Sequence, residues 1–171
     1  DVAVYYTRDV YWFSGVDANF SWGVAITNIG SKMNYDQTTM DKDFIPTNLR
    51  FGPTLKLDVD DYNSFAFSVD FNKLLVPTPP IYYPDSLVDG KPVILAGKDN
   101  EVGMVQGMIQ SFYDAPGGFK EELKEFTLGL GAEYWYDEVF TVRAGFFHES
   151  QMKGNRRYVT LGAGLRYNVF A

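Results

Sequence analysis

The chain has 171 residues and a formal net charge of −7 at pH 7, so its length suits a single domain and it lacks the basic surface that binding to nucleic acid requires. It contains no cysteine, which excludes disulfides and thiolate metal sites. Aromatic residues make up 17% of the sequence, and no apolar stretch approaches the roughly 18 residues that a membrane-spanning helix needs.

Apolar and polar residues alternate with a period of two in about seven stretches, which predicts β-strands. We expect the first strand to have begun before Asp1 and to end with Val2, Val4 and Tyr6, followed by a short link over 8–17. The other predicted strands, in chain order, are 20–27, 48–58, 64–72, 126–136, 140–149 and 158–169.

These strands have one apolar face and one polar face, which fits either a soluble sheet with an apolar interior or a membrane barrel with an apolar exterior. Their lengths of about 10 to 12 residues match the roughly 9 to 11 needed to cross a bilayer, and aromatic residues gather at their ends, as in an interfacial girdle. The polar faces carry charges of both signs, at Arg50, Lys56, Asp58, Asp70, Glu133, Arg143 and Arg166. Together these features favour the membrane barrel.

The predicted connections alternate in length, as they do in bacterial outer-membrane barrels. Tight turns lie at Asp60-Asp61 and Asp137-Glu138, whereas longer links cover 28–47, 73–125 and 150–156. About seven strands is an odd number and would leave unpaired edges in lipid. We therefore predict an all-β fold in which residues 1–171 form part of a single transmembrane antiparallel β-barrel domain, with the remaining strands supplied from elsewhere.

The longest link, over 73–125, is predicted to be an extracellular loop with structure of its own. Its proline-rich stretch 76–80 should be extended. Asn100 is a plausible N-cap, and apolar residues then recur at helical spacing. We expect a short amphipathic helix over about 101–113, ended by the segment 114–118 with its Pro116 and two glycines.

Four segments carry a resemblance to a known family. They are 22–32 (WGVAITNIGSK), 72–80 (NKLLVPTPP), 110–123 (QSFYDAPGGFKEEL) and 165–170 (LRYNVF). These segments closely resemble PorV proteins, the outer-membrane barrels of the Bacteroidota type IX secretion system, and the resemblance extends over nearly the whole chain.

The resemblance implies a fourteen-stranded barrel related to the long-chain fatty-acid transporters, located in the outer membrane and longer than this chain at both ends. It also implies a carrier role, in which the protein associates with the translocon channel protein and binds the C-terminal domains of secreted cargo. The cargo is then delivered to the surface attachment complex that holds the sortase. The resemblance implies no catalytic residue.

The predicted helix is the best candidate for a binding site. Its apolar residues could close the mouth of the barrel as a lid or contact a protein partner, since methionine surfaces adapt to varied shapes. They are Met104, Met108, Ile109, Phe112 and Tyr113. Tyr82 and Tyr83, together with Ile81, could stack on a partner strand or belong to the interfacial girdle.

Two other clusters suggest chemistry less strongly. His148, Glu149 and Ser150 are adjacent, but neighbouring residues on a strand point to opposite faces and no nucleophile elbow surrounds the serine. Asp58, Asp60, Asp61 and Asn63 resemble a calcium loop that lacks its glycine and its closing glutamate, so a tight turn explains them better. We expect no enzyme activity, no metal and no cofactor.

The leading functional hypothesis is therefore a non-enzymatic shuttle in protein secretion, with protein partners and outer-membrane lipid around it. The alternative is an outer-membrane transporter that passes hydrophobic small molecules through the barrel. A third possibility is a soluble ligand-binding barrel, which solubility without detergent would indicate.

Overall fold

The computed structural model describes residues 1–13, 16–34, 42–88 and 90–166. Within them the strands and helices follow in this order: β1 Val2–Phe13, β2 Val16–Thr27, β3 Asn48–Asp58, β4 Asn63–Leu74, β5 Ile81–Val88, β6 Lys91–Ala96, α1 Met104–Gln110, α2 Phe119–Lys124, β7 Phe126–Tyr136, β8 Phe140–His148 and β9 Arg157–Leu165. A short 3₁₀ helix, Gln151–Lys153, lies between β8 and β9. No helix of the described residues is long and apolar enough to cross a bilayer.

Seven strands form one sheet in the order β1-β2-β3-β4-β7-β8-β9, and β5 and β6 form a separate two-stranded sheet. The all-β class and the antiparallel pairing are thereby confirmed. In the described residues β1 and β9 are the outer strands of the larger sheet, which is not closed. The architecture agrees with a piece of a β-barrel.

The register of β7, β8 and β9 keeps the two faces of the sheet chemically distinct. Apolar partners oppose each other along one face, where Leu130 is 43%, Phe146 40% and Leu161 82% exposed. On the other face Glu133 lies opposite Arg143, and their carboxylate and guanidinium are 2.7 Å apart. The apolar face is thus exposed, and charges of opposite sign pair across strands, as the sequence predicted.

Contacts divide the chain into two compact units. One unit consists of Asp1–Val2, Ile26–Leu49 and Lys73–Phe126, and we call it the loop unit. The other contains Ala3–Ala25, Arg50–Asn72 and the chain from Thr127 onward, and it holds most of the seven-stranded sheet.

The predicted link over 8–17 is wrong, because β1 continues to Phe13 and β2 begins at Val16. Polar side chains in and beside the predicted link bond across the two strands. The Thr7 hydroxyl lies 3.0 Å from the Asn19 amide oxygen, and the Asn19 amide nitrogen donates to Asp9 at 2.8 Å. The predicted end of the last strand falls partly outside the described residues, since β9 is described to Leu165 and residues 167–171 are not described.

The helix predicted over 101–113 is shorter, and Asn100 is not its N-cap. α1 runs over Met104–Gln110 with Gly103 as its N-cap. The Asp99 carboxylate accepts a hydrogen bond from the backbone N–H of Glu101 at 2.8 Å, which stabilises a turn where the first helical turn was expected. Three elements of the 73–125 link were not predicted: strands β5 and β6 and helix α2.

Candidate binding surface

The predicted binding residues lie in the loop unit, on two different elements. Ile109 on α1 is 59% exposed, and Phe112 and Tyr113, which follow the helix, are 43% and 52% exposed. Met104 and Met108 are half-buried. Tyr82 and Tyr83 lie on β5, where every described side chain is exposed.

One side of α1 is packed and the other is open. A Cβ on Gly107 would lie 2.7 Å from the ring of Phe44 and 3.0 Å from Pro77, so only glycine allows the helix to approach these side chains. Gln110 is buried and donates through its side-chain amide to the carbonyl of Asp99 at 2.7 Å. The opposite side carries the exposed Val105 and Ile109, four residues apart, and the exposed Phe112, which follows the helix, continues this apolar stripe.

The segment that follows α1 and the base of the β5–β6 hairpin come together around Gly97. A Cβ on this glycine, whose φ is +91°, would lie 3.1 Å from the Cα of Pro80 and 3.2 Å from the carbonyl oxygen of Asp114. The ammonium of Lys98 lies 3.8 Å from the centre of the Tyr113 ring, a cation–π distance. Tyr113 thus contacts Lys98, which lies two residues after the hairpin that bears Tyr82 and Tyr83.

A buried ionic cluster lies in the same unit. The ammonium of Lys73, at the end of β4, is 2.6 Å from the carboxylate of Glu125 and 3.2 Å from that of Glu122, and the Lys73 side chain is completely buried. The rings of Phe112 and Phe126 lie 5.6 and 5.4 Å from this ammonium. One lysine therefore connects the end of β4, helix α2 and the aromatic residue that follows α1.

The cluster also holds the segment between the two helices. Glu122 accepts a hydrogen bond from the backbone N–H of Ala115 at 2.7 Å, and Glu125 accepts one from the Thr78 hydroxyl at 2.7 Å. A buried charge is tolerated only when it is paired and hydrogen-bonded, and both glutamates meet this condition. The cluster fixes α2 and the chain from 112 to 115 relative to the proline-rich segment.

Asp114 is buried beside this cluster and has an unusual environment. Its Oδ2 accepts the backbone N–H of Thr78 at 3.0 Å, while its Oδ1 is buried without a hydrogen-bond partner among the described residues. Burial, together with the nearby Glu122 and Glu125, raises the pKa of Asp114 from 3.8 to about 6, against the lowering effect of the Thr78 hydrogen bond and of Lys73. This carboxyl therefore holds a proton under mildly acidic conditions.

His148, Glu149 and Ser150, which were considered for catalysis, each contact a neighbouring residue in the fold. Glu149 is buried and forms two hydrogen bonds with the guanidinium of Arg156, at 2.7 and 2.9 Å, which lower its pKa. Ser150 is the N-cap of the 3₁₀ helix and accepts the backbone N–H of Met152. The ring of His148 is stacked on that of Phe146 at 6.5 Å.

The acidic turn after β3 is explained by backbone geometry. Asp60 accepts the backbone N–H groups of Tyr62 and Asn63 at 2.9 and 2.7 Å, and these hydrogen bonds lower its pKa. The tight-turn interpretation is confirmed. Across the part of the chain that the structure describes, no group of three or more His, Cys, Asp or Glu residues is placed to hold a metal ion.

Sequence reasoning missed the buried cluster and the hairpin for different reasons. Lys73 meets Glu122 and Glu125 across 49 and 52 residues, and no local pattern signals a contact of that range. The hairpin did have a signal, because Asp89-Gly90 separates two apolar runs, a common β-turn pair.

The comparison with protein families agrees with the resemblance seen in the sequence. Residues 1–81 match the family model described as "Type IX secretion system protein PorV". Two of the four resembling segments, 22–32 and 72–80, lie inside the matched region, whereas 110–123 and 165–170 lie outside it. No curated protein matches the chain. Residues 1–81 of the chain are thus similar to the PorV family of type IX secretion system proteins.

Proposed function

We propose that this protein is a non-enzymatic component of type IX secretion in the outer membrane, which binds C-terminal signal domains of secreted proteins. In this role it carries them from the translocon channel protein to the surface attachment complex that holds the sortase. The observation that carries the proposal is the exposed apolar stripe on α1, presented by a chain whose residues 1–81 are similar to the PorV family.

The stripe has the properties of a protein-binding surface. Contiguous exposed apolar residues mark interaction sites more often than chance exposure does, and aromatic residues in such patches contribute much of the binding energy. Ile109, Phe112 and Tyr113 are exposed, and the half-buried Met104 and Met108 on the same helix can adjust to different partners. This adaptability suits a carrier that must accept many cargo proteins.

The loop unit also holds this surface in a defined shape. The packing of Gly107 on Phe44 fixes α1, and the Lys73 cluster fixes the chain that follows it. A surface that is ordered before binding loses less conformational entropy on association. The lid role stays a second proposal for the same helix.

Placement in the outer membrane is supported by the sheet. Leu130, Phe146 and Leu161 are exposed on one face, which is unfavourable in water and favourable in lipid. Glu133 and Arg143 pair on the opposite face, as residues facing a hydrated interior do.

Co-purification from detergent-solubilised membranes tests the proposal. The wild-type protein should retain a secreted C-terminal domain, and Ile109→Asp or Phe112→Asp should weaken retention about tenfold or more, as the loss of a central apolar contact does. Met152→Asp is a matched control, because Met152 is 55% exposed and lies outside the loop unit.

The alternative function predicts the opposite result. If the protein transports hydrophobic small molecules, the Ile109 and Phe112 variants should keep cargo retention and lose uptake of a fatty acid. Unchanged retention in both variants would therefore refute the proposed shuttle.

A further inference from the structure

Three buried carboxylates lie around the ammonium of Lys73 in the loop unit. They belong to Asp114, Glu122 and Glu125, and the two glutamates contact the ammonium directly. When all four groups are ionised, one positive charge faces three negative ones. Like charges that are buried together disfavour the ionised form of one of them. One carboxyl of this cluster is therefore expected to hold a proton.

Asp114 is the carboxyl best suited to hold it. Both oxygens of each glutamate accept a hydrogen bond, from Lys73 or from a neighbouring group. Asp114 accepts only the backbone N–H of Thr78, through Oδ2, and its Oδ1 is buried without a partner among the described residues. A buried oxygen that lacks a donor costs much more when it is charged than when it is neutral. The geometry of the cluster thus places the proton on Asp114.

The same residue adjoins two members of the candidate binding surface. Phe112 and Tyr113 directly precede Asp114 in the chain. The ring of Phe112 lies 5.6 Å from the ammonium of Lys73, and the ring of Tyr113 lies 3.8 Å from that of Lys98. Because the backbone at Asp114 positions both aromatic side chains, a change in its charge acts on them.

We propose that Asp114 is a proton-operated latch of the loop unit, whose neutral form holds Phe112 and Tyr113 in the arrangement that binds a protein partner and whose ionised form releases them. Ionisation transfers one proton to solvent and leaves a third negative charge beside Glu122 and Glu125, which favours opening of the segment 111–118. Partner binding is thus tighter under mildly acidic conditions. The inference rests on the proposed function, since it adds a condition under which the same surface binds.

The direction and the limit of the effect follow from the groups that face Asp114. They are Lys73 from the end of β4 and Glu122 and Glu125 from α2, with the backbone N–H of Thr78 from the proline-rich segment. The pKa of Asp114 is raised from 3.8 to about 6, so the closed form loses its advantage as the pH rises through about 6. A shift of about two pKa units changes the ratio of closed to open segments by at most about a hundredfold.

A single introduced thiol reports the opening of this segment without any partner. The chain has no cysteine, and Ser111 is completely buried, so Ser111→Cys reacts with dithiodipyridine only when the segment opens. At about pH 8 the thiol should react about tenfold faster than in a protein that also carries Asp114→Asn. At about pH 5 the two rates should agree. Comparison at one pH cancels the ionisation of the thiol itself. Adding Asp99→Asn, at an exposed carboxylate of the same unit, is the matched control and should leave the rate unchanged.

A second measurement does not depend on the Asp114 variant. The rate for Ser111→Cys divided by that for Met152→Cys, at an exposed position outside the loop unit, should rise about tenfold between about pH 5 and about pH 8. A ratio that stays constant would overturn the latch, as would equal rates with and without Asp114→Asn at about pH 8.

Cargo retention separates the latch from the proposed function. Retention of the C-terminal domain by the detergent-solubilised wild type should fall about tenfold from about pH 5 to about pH 8, and Asp114→Asn should retain it equally at both. If retention is independent of pH while Ile109→Asp loses cargo, the latch is excluded and the proposed function stands. If neither pH nor Ile109→Asp affects retention, both are refuted.

Discussion

Replacing Lys73 with methionine should strongly lower the local stability of the loop unit. The substitution keeps the apolar stem and removes the ammonium from a site where Glu122 and Glu125 lie within 3.2 Å of it and are almost completely buried. Removing one partner of a buried ion pair costs about 3–5 kcal/mol, because the other charge stays buried without compensation. We therefore expect a loss of about that size in the local stability of the loop unit.

Hydrogen exchange measures this loss where it occurs. At about 1.4 kcal/mol per factor of ten, 3 kcal/mol corresponds to an increase of more than about a hundredfold in the exchange rate of α2 amides that open by local unfolding. Lys56→Met is the matched control, since the pair of Lys56 and Asp58 is about half exposed on both sides and such pairs contribute about 0–1 kcal/mol.

A compensated variant distinguishes charge from packing. Lys73→Met combined with Glu122→Gln and Glu125→Gln removes the uncompensated charges and should restore much of the protection. The reasoning is refuted if α2 in Lys73→Met exchanges within a factor of about three of the wild type. It is also refuted if the triple variant is as unprotected as the single one, because the loss would then come from packing alone.

Two further predictions concern the same unit. Because the pKa of Asp114 is raised from 3.8 to about 6, its protonated form contributes stability that is complete below pH 3.8 and is lost as the pH rises through about 6. The protection of the 111–118 amides against exchange should thus fall as the pH rises through this window. The Asp114→Asn variant should not show this fall. A pH profile identical to that of the wild type would contradict the prediction. Gly107→Ala should cost about 1–3 kcal/mol of α1 stability through overpacking, since its Cβ would meet the Phe44 ring at 2.7 Å. Gly103→Ala, whose Cβ would meet nothing within 4 Å, is the control, and equal protease resistance of the two variants would exclude the packing argument.

Most strands of the seven-stranded sheet could be predicted from the sequence, because the alternation of apolar and polar residues is a local pattern. The bounds of β3 and β7 agree with the prediction, and those of β4 and β8 differ by one or two residues. β1 was predicted too short, because the alternation was followed only as far as Tyr6, whereas the Asn19 amide bonds to Asp9 across the two strands. Binding residues on α1 and β5 stay predictions, although the structure shows Ile109 and Tyr82 to be exposed.

The sequence by itself determined the all-β class, the two chemical faces of each strand and the likeness to PorV, because alternation and motif spacing depend only on residues near each other in the chain. Only the tertiary structure decided which segments of the 73–125 link become ordered. α2 is six residues long, too short to be stable alone, and its glutamates pair with Lys73 about fifty residues earlier. A contact of that kind is stabilised by burial, and burial exists only once the chain has folded.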